Sequence, residues 1–230
     1  AVLDGIVMGG GLGVSAHGSH RVITERAWAS MPEMAIGYIT DVGISYASQR
    51  WPGSSPAMGA FIGLTGYRLT EADMMEVGLA THLIDDAGDF IEDLVGLGVD
   101  NALDEHTIEV EEDARLAGWR DDIEATFSHG SWADIDAALD AHGNQEFVQE
   151  VRALMAKGSP SATVATAELY AANRSAADLR AGLDNEERLG ELLRRQPDFL
   201  EGVRAVLIDK TQDAEFTPAH EPAVYREVLR

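Results

Sequence analysis

Two groups of residues have the types and spacing that chemistry requires. The first is the turn Met8-Gly9-Gly10-Gly11-Leu12-Gly13. A glycine-rich turn that opens a helix exposes backbone N–H groups at the positive end of the helix dipole, where a phosphate or a developing oxyanion can be held. It is not a dinucleotide fingerprint, because no G-x-G-x-x-G register sits between strand and helix with an acid about 20 residues further on. The same glycines also meet a purely structural need for small residues in a tight strand-to-helix turn. The second group is the carboxylate pair Glu33 and Asp41, with Gly37 between them. A bend at Gly37 brings both acids into one cleft, where repulsion separates their pKa values and divides acid, base and nucleophile roles. The alternative is that Asp41 only caps a helix and Glu33 is one surface acid among 40 acidic residues.

The remaining candidates are weaker. His17 follows the glycines without an Asp or Ser in a triad context, so it reads as a packing or hydrogen-bonding histidine. The other histidines are scattered and lack metal-ligand spacing. Ser15 and Ser45 lack a nucleophile elbow. With no cysteine in the sequence, disulfides, thiol nucleophiles and thiolate metal sites are excluded from these residues.

The elements that must position these groups change in character along the chain. Up to about residue 86 strands and helices alternate, which is an α/β pattern. Val2–Val7 reads as a buried strand, Leu12–His17 as a helix, and Arg21–Ala27 as a second strand. Asp41 stands where an N-cap belongs, ahead of VGISYASQRW, and Ala57–Leu64 forms the next helix. Thr70-Glu71-Ala72-Asp73 has the spacing of a capping box, and Ala80–Ile84 returns as a strand. Helical periods then cover 87–97, 104–117, 131–142, 144–157, 160–173 and 175–195. Ser131, Ser159 and Ser175 are the candidate N-caps, and FLEGVRAVLIDK is an amphipathic helix near the end. The division expected is a core over 1–98 and a helical C-terminal region over 99–230.

Apolar residues make up 45% of the 230, enough for a sizeable core. No stretch approaches the roughly 18 uncharged apolar residues of a membrane span. A net charge of −23 opposes nucleic acid and anionic membranes as partners. It equally opposes any anionic ligand that is not met by a local basic patch or by helix N-termini. Abundant Ala, Asp and Arg with only Lys157 and Lys210 suggests a GC-rich bacterial source. The opening AVLDGIVMGGG runs from a core strand straight into the glycine turn, which implies that part of the protein lies upstream of Ala1.

Taken together, DGIVMGGGLGVSAHGSHRVITERAWASMPEMAIGYITDVGISYASQRWPG, LTGYRLTEADMMEVGLATHLID and DFLEGVRAVLIDK closely resemble the 3-hydroxyisobutyryl-CoA hydrolases of the crotonase superfamily. The likeness spans nearly the whole chain, in order, and is weakest over 99–145. It implies an α/β crotonase-like fold of ββα spiral turns followed by a helical C-terminal region. It implies thioester cleavage in valine breakdown, with Gly10 giving one oxyanion N–H beside Gly9 and Gly11, and with Glu33 and Asp41 lining the acyl pocket. A second N–H would come from upstream, so these residues alone are expected to be poorly active. Coenzyme A would enter as part of the substrate, with no separate cofactor or metal, in a bacterial cytoplasmic enzyme able to form a homo-oligomer. Enoyl-CoA hydratases instead carry a glutamate where Gly13 stands and usually a glycine where Asp41 stands, so both departures favour hydrolysis. Ile44-Ser45, where the hydrolases usually have a glycine pair, and Thr40, where they usually have proline, leave substrate preference open. The competing expectations are a hydratase or isomerase on the same scaffold and a non-catalytic acyl-CoA-binding subunit.

Overall fold

The computed structural model describes residues 1–230. Its first part is a spiral of short strands. β1 (Val2–Leu3) and β2 (Ile6–Met8) lead into α1 (Gly10–Ser15). β3 (Val22–Thr24) and β4 (Trp28–Ser30) lead through a 3-10 turn (Glu33–Ile36) to α2 (Ile44–Ala47), α3 (Pro56–Thr65) and α4 (Glu71–Glu76), and β5 (His82–Ile84) follows. β3 pairs in parallel with β1 and with β5, while β4 pairs in parallel with β2 in a second sheet. The first two passes of the chain therefore each add one strand to each sheet, as a ββα spiral requires, and the third adds β5 to the first sheet. The expected single strand over 2–7 is corrected to two strands in different sheets. The chain turns at Asp4-Gly5, and side chains alternate along β2, so Val7 is buried while Ile6 and Met8 stay exposed.

Helices α5 (Ala87–Leu97), α6 (Val99–His106), α7 (Arg115–Phe127), α8 (Trp132–Ala141), α9 (Gln145–Met155), α10 (Pro160–Arg174) and α11 (Leu179–Leu193) follow, then α12 (Pro197–Gly202), a π-helical turn (Val203–Ile208) and α13 (Pro222–Arg226). Local chemistry sets most of their starts. Ser55, Thr70, Ser131 and Ser159 each accept an N-cap bond from the third residue on, and Thr70 and Asp73 complete the capping box. Ser175 does not start a helix. It ends α10, and Asp178 caps α11 by accepting from the Ala181 amide at 2.8 Å. The helix expected over 104–117 is likewise divided. β-Branched Thr107 and Ile108 form β6, antiparallel to β5, and α7 starts only at Arg115.

The largest apolar cluster draws on both sides of the boundary expected at 98, joining Leu12, Ile23 and Ala29 to Phe61, Trp119, Phe147 and Tyr170. α3 is buried on every side, because Gly59 and Gly63 let Gln49 and Tyr170 come close. The 3-10 turn leans on α12 through two glycines. A Cβ on Gly37, whose φ is +67°, would stand 2.6 Å from the Asp198 carbonyl oxygen. A Cβ on Gly202 would stand 2.5 Å from the Ile36 carbonyl carbon. Gly37→Ala and Gly202→Ala should each cost about 1–3 kcal/mol through overpacking, with left-handed strain added at position 37. Gly118→Ala on α7, where a Cβ meets open space, should instead gain about 0.5–1 kcal/mol. Urea denaturation of the three variants checks the contrast.

Candidate active site

Glu33 starts the 3-10 turn that follows β4, with Pro32 before it and Gly37 closing the turn in the left-handed region. The backbone there accepts the Tyr38 amide at 3.1 Å on the Glu33 carbonyl, so the turn is held internally. The Glu33 side chain is 7% exposed, and its Oε2 has no hydrogen-bond partner. A buried carboxylate oxygen without a partner is costly, and it is the kind of group that a reaction uses. Burial above all, and the nearby Asp41 charge after it, push the Glu33 carboxyl up to about 8, against its own backbone amide, which opposes the shift.

The glycine turn lies against this acid. Gly9 caps α1 with φ +48°, a conformation that favours glycine, and a Cβ there would approach Glu33 Oε1 to 3.4 Å. Gly10 and Gly11 are exposed and occupy the first positions of α1, where amides have no acceptor within the helix. Gly13, further along, packs on the other acid-bearing segment, because a Cβ there would stand 2.7 Å from Val42 Cβ.

Asp41 is half-buried, and burial raises its carboxyl above the ordinary range. It is not an N-cap. Val42 and Gly43 have φ of +53° and +83°, so the chain is left-handed there and α2 begins only at Ile44, with Gly43 as its cap. A β-branched residue at positive φ is strained, and such strain collects at functional sites. The turn is held from two sides. His17 Nε2 donates to the Val42 carbonyl at 2.9 Å, as its expected hydrogen-bonding role requires. The Gly43 amide donates to Glu186 Oε2 at 2.7 Å.

Glu186, the acid that holds the Gly43 amide, was not among the residues singled out from the sequence. It sits on α11, is 3% exposed, and also accepts from Ser45 Oγ at 2.5 Å. Burial first, and the Asp41 charge after it, push it up to about 7, against the hydrogen bonds from Ser45 and Gly43. Its signal was present as Gly182-x-x-x-Glu186-x-x-x-Gly190. Spacings of four place all three residues on one helix face, where the two glycines admit Tyr46 and Tyr38. An acid between two close-approach glycines is a buried acid.

Two other features lie apart from this cluster. A surface hollow of about 1030 Å³ lies between α4 and α7 and is lined by neither the glycine turn nor Glu33, Asp41 or Glu186. Asp93, Glu105 and His106 bring ligand atoms within 4.8 Å of one another, with His106 Nε2 and Asp93 Oδ2 paired at 2.8 Å. No helix is long and apolar enough to cross a membrane.

Known proteins share this architecture. The chain is 34% identical over 241 residues to the mitochondrial 3-hydroxyisobutyryl-CoA hydrolase of Homo sapiens, covering 100% of this chain and 61% of that protein. It is 34% identical to the counterpart of the same name in Xenopus tropicalis, covering 95% of this chain and 58% of that protein. The chain thus spans about three fifths of the length of these relatives. Among solved structures, a carnitinyl-CoA dehydratase from Mycobacterium thermoresistibile superposes with a TM-score of 0.84 at 34% identity, over 99% of this chain and 66% of that one. An enoyl-CoA hydratase from Rhodobacter sphaeroides 2.4.1 gives 0.83 at 32%, over 99% and 67%. The fold is therefore the crotonase fold. The enoyl-CoA hydratase/isomerase family model matches residues 1–230, and with the spiral of ββα turns and the glycine turn set against a buried acid, the chain belongs to the enoyl-CoA hydratase/isomerase family.

Proposed function

We propose that the protein cleaves an acyl-CoA thioester, 3-hydroxyisobutyryl-CoA to 3-hydroxyisobutyrate and coenzyme A, with Glu33 and Asp41 as its catalytic acids. The observation that carries this reading is the unpartnered, buried Glu33 carboxylate beside the glycine turn and within the field of Asp41. In this scheme the Gly10 amide, with Gly9 and Gly11 shaping the turn, polarises the thioester carbonyl. One such donor is worth about 10²–10³ in rate. Ionised Glu33 then acts in one of two ways. As a nucleophile it bonds to the carbonyl carbon, the C–S bond breaks, and the thiolate leaves and takes up a proton. Water next cleaves the resulting anhydride and restores Glu33. As a general base it takes a proton from water while that oxygen attacks the same carbon, the C–S bond then breaks, and the leaving thiolate takes the proton back from Glu33. Asp41 orients the water or the substrate hydroxyl and tunes Glu33. Coenzyme A enters only as part of the substrate.

The solved relatives named as dehydratase and hydratase make hydration the second reading. Space at position 13 weighs against it. The glutamate that the resembling hydratases carry there would have to displace Val42, whose Cβ already lies 2.7 Å from where a Cβ on Gly13 would be. The test is a product assay on the full-length protein with 3-hydroxyisobutyryl-CoA and with an enoyl-CoA. The expected outcome is free thiol from the first and no change in enoyl absorbance from the second. Loss of enoyl absorbance without thiol release would establish the hydratase reading instead.

A further inference from the structure

The peptide unit between Val42 and Gly43 is gripped at both polar ends. Its carbonyl oxygen accepts from His17 Nε2 at 2.9 Å, and its N–H donates to Glu186 Oε2 at 2.7 Å. The two residues flanking it are both left-handed, and one is a valine. A peptide between such residues needs outside contacts to hold its orientation. The two grips come from opposite ends of the sequence. His17 lies just beyond α1, the helix that carries the glycine turn, and Glu186 lies on α11.

We propose that His17 and Glu186 are positioning residues that lock the Val42–Gly43 peptide and thereby fix Asp41 relative to the glycine turn. The inference rests on the reading of Glu33 and Asp41 as the catalytic acids. Turning the peptide over would present the Val42 carbonyl to the Glu186 carboxylate and remove both hydrogen bonds, so the grip selects one orientation. Asp41 immediately precedes this peptide, and a rotation there re-aims its side chain. His17 Nε2 must carry the proton, which sets the tautomer. Glu186 is anchored in turn from behind. Asn173 Nδ2 donates to Ser45 Oγ at 2.6 Å, which leaves the Ser45 hydroxyl hydrogen for Glu186. Asn185 Nδ2 donates to Asn173 Oδ1 at 2.9 Å.

The test compares Glu186→Gln, His17→Ala, the double variant, Asp41→Asn and Ser131→Ala in the full-length protein, by thiol release and thermal melting. Glutamine keeps the shape of Glu186, but it cannot accept with both of its terminal atoms. Glu186→Gln and His17→Ala should each lower kcat about 10- to 100-fold at little-changed KM, the scale of a small misplacement of a reacting group. The double variant should be no worse than the worse single, because both release the same peptide. Ser131→Ala removes the N-cap of α8, an element that carries none of the grip, so it should lower the melting temperature while leaving kcat within about twofold. Wild-type kcat in both single variants, additive losses in the double, or an equal kcat loss in Ser131→Ala would each overturn the proposal. If Asp41→Asn leaves kcat intact, the catalytic reading itself fails, a result distinct from failure of the grip alone.

Discussion

Glu33→Gln should lose at least about 10³-fold in thiol release, since it removes the nucleophile or base and leaves the pocket shape intact. The same variant should gain stability relative to the wild type as pH rises. The sign follows from the carboxyl being pushed up from 4.5 to about 8 by burial and then by Asp41. Below the unfolded value near 4.5, both states hold the proton and Glu33 carries no ionisation cost. As pH climbs from there, the unfolded chain ionises while the folded one keeps its proton, and wild-type stability falls until pH passes about 8. The accumulated cost is on the order of a few kcal/mol, and glutamine does not incur it. Melting curves of both proteins between pH 5 and pH 9 should therefore move apart in favour of Glu33→Gln. Parallel curves would mean that Glu33 ionises freely in the folded state. Kinetics should show the same ionisation. With the carboxyl near 8, only about one tenth of Glu33 is ionised at pH 7 in the free protein, so kcat/KM should rise through that region rather than plateau by pH 6.

Asp41→Asn is the second large effect. It should reduce kcat by about 10²-fold or more, within the usual range for an acid–base group. It should also move the rise of kcat/KM to lower pH, because a charge that holds the Glu33 carboxyl up is gone. The two consequences oppose one another at pH 6. The fractional loss of activity should therefore be smaller at pH 6 than at pH 9. An Asp41 that served only as a structural turn residue would lower stability without moving that limb.

The candidate pair Glu33 and Asp41 could be picked out in the sequence because both members lie in one short segment around Gly37, where residue type and spacing carry the information, and the structure buries Glu33 within the field of Asp41. Asp41 as an N-cap was the natural reading of Asp ahead of an apolar run. It fails because Val42 and Gly43 are both left-handed, and a valine does not announce positive φ. That conformation is imposed by contacts from His17 and Glu186, one of them 143 residues distant from the glycine it binds. No local pattern reports such a pairing, although the Gly182, Glu186 and Gly190 stripe on α11 marks a face built for close approach. The acidic stretch after residue 104 misled in the opposite way. Its charges suit a solvated helix, but β-branched Thr107 and Ile108 could add to β5, and tertiary pairing overrode helical spacing. The spiral itself was visible only as alternation. Which strand joins which sheet depends on a sharp turn at Asp4-Gly5 that hydropathy does not encode.

The most direct check on the central claim, that two acids share one dry pocket beside the glycine turn, needs no substrate. It is a titration of the Glu33 side-chain carboxyl by carbon NMR in the wild type and in Asp41→Asn. The account predicts a wild-type midpoint near 8 that moves toward the ordinary glutamate range when Asp41 is neutralised. A midpoint near 4.5 in the wild type, or one that the substitution does not move, would contradict it.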